Sequence, residues 1–232
     1  MKGKKVNLKD RNACAIVGIV DSPEAASAAK RLPKGGVDYL EWRADFLGEK
    51  IPKSPIPWII TARHPLEGGK NALPQARRRE LLFSLLPSAS LVDIEVRSLA
   101  GLSDVAACAQ KNGIGIIASF HDFEKTPETS RLRDVIRRAN DAGANVVKIA
   151  TRTTTPKDVS RLLDLWNATP LPLAIMGMGP LGMSSRLLFA NCGSALNYGW
   201  LHRPNVHGQW STAELRTLIA KTTLTNKPKA SK

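Results

Sequence analysis

Short β-rich apolar runs recur along the chain, and the stretches between them carry apolar residues at helical spacing. Strands are predicted over 15–20, 37–43, 58–62, 91–96, 114–120, 146–150, 173–176 and 195–198. Helices are predicted over 23–31, 75–86, 102–111, 130–142, 156–166, 184–191 and 212–221. Two of the helix starts carry cap signals: Thr155 stands before Pro156, and Ser211 is followed three residues later by Glu214. Alternating strands and helices imply a parallel sheet. Eight such strands in 232 residues imply one α/β domain, a closed (β/α)8 (TIM) barrel rather than an open sheet. The segment 47–57 is the exception, because Pro52, Pro55 and Pro57 forbid a regular helix there. The helix between the second and third strands is therefore expected to be missing or degenerate, leaving a thin spot in the outer layer.

The charged residues on these strands change the picture. Alternate strand residues share a face, so Glu41 and Arg43 point one way while Leu40 and Trp42 point the other. Asp93 and Glu95 likewise share a face, His121 shares the parity of Ile117 and Ser119, and Lys148 lies on the face of Val146 and Ala150. Both faces of a barrel sheet are covered, and an unpaired charge buried there costs several kcal/mol. With Arg63, these groups come from five strands, late in each or just beyond it. A barrel gathers those ends at one mouth, where barrel active sites are built.

Composition narrows the setting. Hydrophobic residues make up 43% of the chain, enough for a large core, and no apolar run approaches the length of a membrane span. The basic N-terminus lacks a following apolar stretch, so no secretory signal is read, and three scattered cysteines suit a reducing, cytoplasmic setting. They fit neither a disulfide framework nor a metal site. The net charge is +14, and half of it lies at the ends, where eight basic residues are offset only by Asp10. Those ends, about 1–11 and 222–232, are expected to be solvated and mobile. Nucleic acid is not expected as a partner, since the aromatics are too sparse for a stacking platform and no binding motif accompanies the charge.

Local sequences along this frame resemble the type I 3-dehydroquinate dehydratase family. They are Glu41-Trp-Arg-Ala-Asp45, Arg63 with Glu67-Gly-Gly69, Asp93-Ile-Glu95, Ser119-Phe-His-Asp-Phe123 with Thr126-Pro127, and Lys148-Ile-Ala150. Met178-Gly179, Gly182, Ser185-Arg186, Gly193-Ser-Ala195 and Gly208-Gln209 continue the match in family order. The resemblance implies a (β/α)8 barrel and a cofactor-free, metal-free hydro-lyase that turns 3-dehydroquinate into 3-dehydroshikimate, a step of aromatic amino acid biosynthesis. It implies that Lys148 forms an imine with the substrate ketone, that His121 is the general base, and that Glu67 orients His121. Arg186 would hold the substrate carboxylate, with Glu41, Arg43, Arg63, Gln209 and Asn205 lining the pocket around it. A free lysine is protonated at neutral pH, so barrel walls and a neighbouring cation are expected to release the Lys148 lone pair.

The Arg186 assignment has independent support, because no carboxylate occurs between Asp164 and Glu214. An acid-free stretch forming the last two loops suits an anion, and Ser184 and Ser185 are expected to open a helix beside it. The segment 177–182 also fits G-x-G-x-x-G, but no acidic residue follows at the spacing a dinucleotide ribose requires. Three features depart from the family. Asn205-Val-His-Gly-Gln209 replaces Ser-Ala-Pro-Gly-Gln, His64 stands where serine or threonine is usual, and the second connection is short. The short connection makes a homodimer the expected assembly. Two alternatives remain: another Schiff-base barrel lyase of the class I aldolase kind, and a non-catalytic barrel that binds anions or nucleic acid.

Overall fold

The computed structural model describes residues 14–222. The basic ends expected to be mobile lie outside those residues, except that Thr222 closes the last helix. The strands are β1 (Ala15–Val20), β2 (Tyr39–Arg43), β3 (Trp58–Thr61), β4 (Ala89–Glu95), β5 (Gly115–Asp122), β6 (Val146–Arg152), β7 (Leu173–Met178) and β8 (Leu196–Trp200). The helices are α1 (Pro23–Lys30), α2 (Ala44–Leu47), α3 (Gln75–Leu85), α4 (Ser103–Lys111), α5 (Thr129–Asp141), α6 (Pro156–Leu163), α7 (Gly182–Asn191) and α8 (Thr212–Thr222).

All strand pairs are parallel, in the order β7-β6-β5-β4-β3-β2-β1-β8. β7 and β8, the two ends of that order, meet through a bond from Ala195 N–H to the Leu173 carbonyl at 2.7 Å. The buried Ser194 hydroxyl stitches the same seam, accepting from Ile175 N–H at 3.0 Å and donating to the Leu196 carbonyl at 3.1 Å. The result is the (β/α)8 barrel expected from the strand count.

Strand parity divides the core in two. Ile16, Leu40, Ile60, Val92, Ile94, Ile116, Val147 and Ile149 pack outward against the helices. Val17, Tyr39, Ile59, Leu91, Ile117, Val146, Ala174 and Leu196 fill the lower barrel interior. The same inward parity carries Glu41, Asp93, Glu95, Ser119 and Lys148 above that apolar floor, all nearly sealed from solvent.

Several boundaries move. β5 runs through Asp122, so His121 is held within the strand rather than beyond it. The helix expected over 184–191 begins at Gly182, which puts Ser184 and Ser185 inside its first turn. The helix expected over 156–166 ends at Leu163 and continues as a 3-10 turn. Both anticipated caps form: Thr155 and Asp158 make a reciprocal capping box, as do Ser211 and Glu214. Between β2 and β3 a single helical turn, α2, stops at Gly48 with φ of +68°, and the proline-containing segment then runs without a helix. The degenerate second helix is thus present as one turn.

Candidate active site

Inward parity places a charged layer on the apolar floor. Arg63, just beyond β3, donates to both oxygens of Asp93 at 2.8 and 2.9 Å, to Glu95 at 3.1 Å, and to the Ser119 hydroxyl at 2.6 Å. Lys148 donates to Asp93 at 3.0 Å, lies 3.5 Å from Glu41, and sits 3.9 Å over the Tyr198 ring. Despite complete burial, Arg63 and Lys148 hold the Asp93 carboxyl well below the usual carboxylate range. The groups touching Lys148 are therefore carboxylates and an aromatic face. A cation also stands near it, since Arg63 and Lys148 donate to the same Asp93 oxygen, Oδ2, at 2.9 and 3.0 Å. Glu95 is anchored from behind by Arg78 of α3, which also bonds the Ala62 carbonyl and Ser98. A guanidinium reaching through the barrel wall balances the second acid of this layer.

One level higher, His121 meets Glu67. Its Nδ1 lies 3.0 Å from Glu67 Oε2, and its backbone N–H donates to the same oxygen at 2.9 Å. An ionised Glu67 selects the tautomer with hydrogen on Nδ1 and leaves Nε2 with its lone pair. Burial raises the Glu67 carboxyl to about 7, although Arg63 pulls the other way. Burial, Arg63 and Lys148 together hold His121 well below its ordinary value. His64 serves its own loop: its ring accepts from Leu66 N–H at 3.1 Å, and its N–H donates to Glu95. That is the structural role its sequence position left uncertain.

The rim is cationic and rigid. Arg43 forms a two-pronged pair with buried Asp45 at 2.9 and 2.7 Å, and Asp45 also accepts from the Arg63 and Lys70 backbone. Arg186 of α7 is buried with no carboxylate among its partners, and burial alone lowers it to about 10. Its Nε donates to the Gly177 carbonyl at 3.1 Å and one Nη to Tyr198 at 2.9 Å, so it straddles the β7–β8 seam. The loop after β8 folds over this corner. Gln209 bonds Tyr198 and accepts from Asn205 N–H at 2.8 Å.

These groups line one cavity of about 480 Å³. All nine residues singled out from sequence border it: Glu41, Arg43, Arg63, Glu67, His121, Lys148, Arg186, Asn205 and Gln209. Asp93 and Glu95 do not; they lie beneath and hold Arg63 and Lys148 in place. Sequence reasoning missed Asp21, which lines the mouth after β1, accepts from Asn205, and is raised by its burial. Its place directly after a strand was the only available signal. Arg78 gave none, being one of three successive arginines on α3. Among the described residues no three His, Cys, Asp or Glu side chains are grouped to hold a metal, and no helix is long and apolar enough to cross a membrane.

The family model described as Type I 3-dehydroquinase matches residues 13–224. A 3-dehydroquinate dehydratase of Thermococcus gammatolerans is 34% identical over 212 residues, spanning 88% of this chain and 97% of that protein. One from Methanocella arvoryzae is 32% identical over 202 residues, 84% of this chain and 90% of that protein. The crystal structure of 3-dehydroquinate dehydratase from Geobacillus kaustophilus superposes with a TM-score of 0.82 at 26% identity, covering 93% of both chains. The type I enzyme from Clostridium difficile, solved with covalently modified comenic acid, gives 0.79 at 27% identity over 90% of this chain and 91% of that one.

Proposed function

The chain belongs to the type I 3-dehydroquinase family, and from that membership we propose that its 3-dehydroquinate dehydratase reaction runs through an imine on Lys148 with His121 as the base. It is a hydro-lyase by family, converting 3-dehydroquinate to 3-dehydroshikimate for aromatic biosynthesis. The observation that supports the residue assignment is one cavity shared by Lys148, a histidine with a free ring nitrogen, and a buried guanidinium without a carboxylate partner.

The chemistry follows from those three groups. A deprotonated Lys148 attacks the ring ketone, and loss of water leaves an iminium ion. The iminium is a far better electron sink than the ketone, so the adjacent C–H becomes acidic. His121 Nε2 takes that proton, and the electron pair shifts to the iminium nitrogen as an enamine. The enamine then expels the neighbouring hydroxyl while the imidazolium returns the proton to it, releasing water. Hydrolysis of the conjugated imine frees the product and Lys148. Because burial and two cations disfavour imidazolium, His121 is neutral and ready at neutral pH.

In this reading Arg186 holds the substrate carboxylate, since a buried cation with only carbonyl partners retains much of its charge for an anion. Glu41 and Arg43 meet the substrate hydroxyls. Arg63 acts chiefly by fixing Asp93, because both of its Nη groups donate to that carboxylate. A cytoplasmic homodimer completes the proposal, with the thin face between β2 and β3 as its contact, and sedimentation velocity tests it.

Borohydride trapping with 3-dehydroquinate, followed by peptide mass spectrometry, tests the imine. The expected result is a reduced adduct on Lys148 that disappears in Lys148→Ala. Dehydration without any trapped adduct would remove the imine mechanism. Folded protein showing neither would remove the reaction, leaving the aldolase-like lyase or the binding barrel.

A further inference from the structure

The loop after β8 is fastened to the barrel on two sides, and the two fastenings differ in kind. At its base, Trp200 N–H donates to the Trp210 carbonyl at 3.1 Å. On the α7 side, Gly179 N–H donates to the His207 carbonyl at 2.9 Å. That approach depends on Gly208, whose φ is +80°, and where a Cβ would lie 2.5 Å from the Gly179 carbonyl oxygen. On the opposite side, across the cavity mouth, Asn205 Nδ2 donates to the Asp21 carboxylate. Among the described residues this is the one hydrogen bond joining the loop to the end of β1. Asp21 and Asn205 both line the cavity, so the pair bridges its opening.

We propose that Asp21 is a positioning residue, the latch that holds the loop after β8 shut over bound substrate through Asn205. The role rests on the reading above that the substrate occupies this cavity. The structure gives two reasons to assign Asp21 to the loop rather than to the start of α1. Asn205 is tied at both ends, its backbone N–H to Gln209 and its side chain to Asp21, so the two contacts brace one loop geometry. The cap of α1 is supplied by Ser22, whose hydroxyl accepts from Ala25 N–H at 3.1 Å, so Asp21 is not needed to start that helix. A charge-assisted bond at a loop tip is also the kind of contact that can be broken and remade at each turnover, when substrate enters and product leaves.

Residue-resolved hydrogen exchange on the ligand-free chain is the first test. Asp21→Ala should speed exchange of the Asn205 and Gly179 amides by about tenfold, the scale of one lost charge-assisted bond, while amides of β2 to β6 stay unchanged. Asp21→Asn keeps an acceptor and should fall between the two. Gly179 is on the far side of the loop, so its response reports opening rather than local disturbance. With 3-dehydroquinate, Asp21→Ala and Asn205→Ala should each raise KM by about tenfold and change kcat less, and the double variant should add little beyond either. Unchanged Gly179 exchange, or fully additive KM effects, would overturn the latch. If wild-type protein neither dehydrates nor traps substrate, the functional reading falls, while the exchange experiment still decides the latch. Should Asp21→Ala fail to fold, Asn205→Ala and Asp21→Asn carry the same comparison.

Discussion

His121 Nδ1 lies 3.0 Å from Glu67 Oε2, and that same oxygen accepts the His121 backbone N–H, so ring and main chain of one residue are held by one carboxylate atom. The backbone bond fixes the carboxylate, the ring bond then sets the imidazole against it, and Nε2 is left for the cavity. The partner's state controls this hold. Burial sets the Glu67 carboxyl at about 7, so ionisation there is opposed until neutral pH. Arg97 lies 3.5 Å from its other oxygen, at the solvent side.

Glu67→Gln should therefore be slower and, at high pH, more stable. The folded value, about 7, exceeds the ordinary 4.5. A raised carboxyl favours the fold below the ordinary value, and that advantage is lost as pH rises through the folded one. The shift corresponds to about 3 kcal/mol at most. The variant should unfold at higher urea concentration than wild type at pH 9 and nearly match it at pH 4. Loss of the orienting charge should lower kcat by roughly 100-fold. Equal stability difference at both pH values would disprove the raised Glu67 carboxyl.

Asp93→Asn should destabilise the fold by about 3–5 kcal/mol, because it leaves Arg63 and Lys148 buried with one fewer negative charge. The Asp93 value is depressed, so its contribution is complete above the ordinary carboxylate value and is lost only as pH falls through the folded one. Urea titrations should show the same deficit throughout pH 5–8. A deficit that grows with pH in that range would contradict this account.

Arg186→Lys keeps the charge but loses the fork that spans the Gly177 and Tyr198 carbonyls. KM for 3-dehydroquinate should rise by about 100-fold, and the melting temperature should fall as the seam loosens. An unchanged KM in steady-state kinetics would place the substrate carboxylate elsewhere.

Ser194→Ala tests the seam apart from the chemistry. It strands the buried Ile175 N–H, an omission worth about 1–3 kcal/mol. Exchange at Ile175 should accelerate, while Lys148 still traps substrate. If the seam amides keep their protection, the hydroxyl is not what joins β7 to β8.

Much of the site was legible because strand periodicity is local. Once Tyr39-Leu-Glu-Trp-Arg43 is read as a strand, Glu41 must face away from Leu40 and Trp42, and the structure places Glu41 in the barrel and those two in the outer core. The same reasoning carried Lys148 inward beside Val146 and Ala150. The prolines between Leu47 and Trp58 forecast the missing helix equally well, since a proline beyond the first turn lacks the N–H that a helix needs and clashes with the turn before it. The sequence by itself thus determined the barrel, its inward-facing charges, and the thin second connection.

Only the tertiary structure decided how those charges are shared. Asp93 and Glu95 share the inward parity of the cavity-lining charges in sequence, yet they lie beneath the cavity, where Arg63 and Arg78 hold them in ion pairs. Arg186 proved to clamp two strands as well as border the pocket, and Asp21 found Asn205 across 184 residues of chain. Periodicity states which way a side chain points and is set by its immediate neighbours. Its partner is set by which strand ends closure of the barrel brings within about 3 Å, the reach of a hydrogen bond, and no local pattern encodes that.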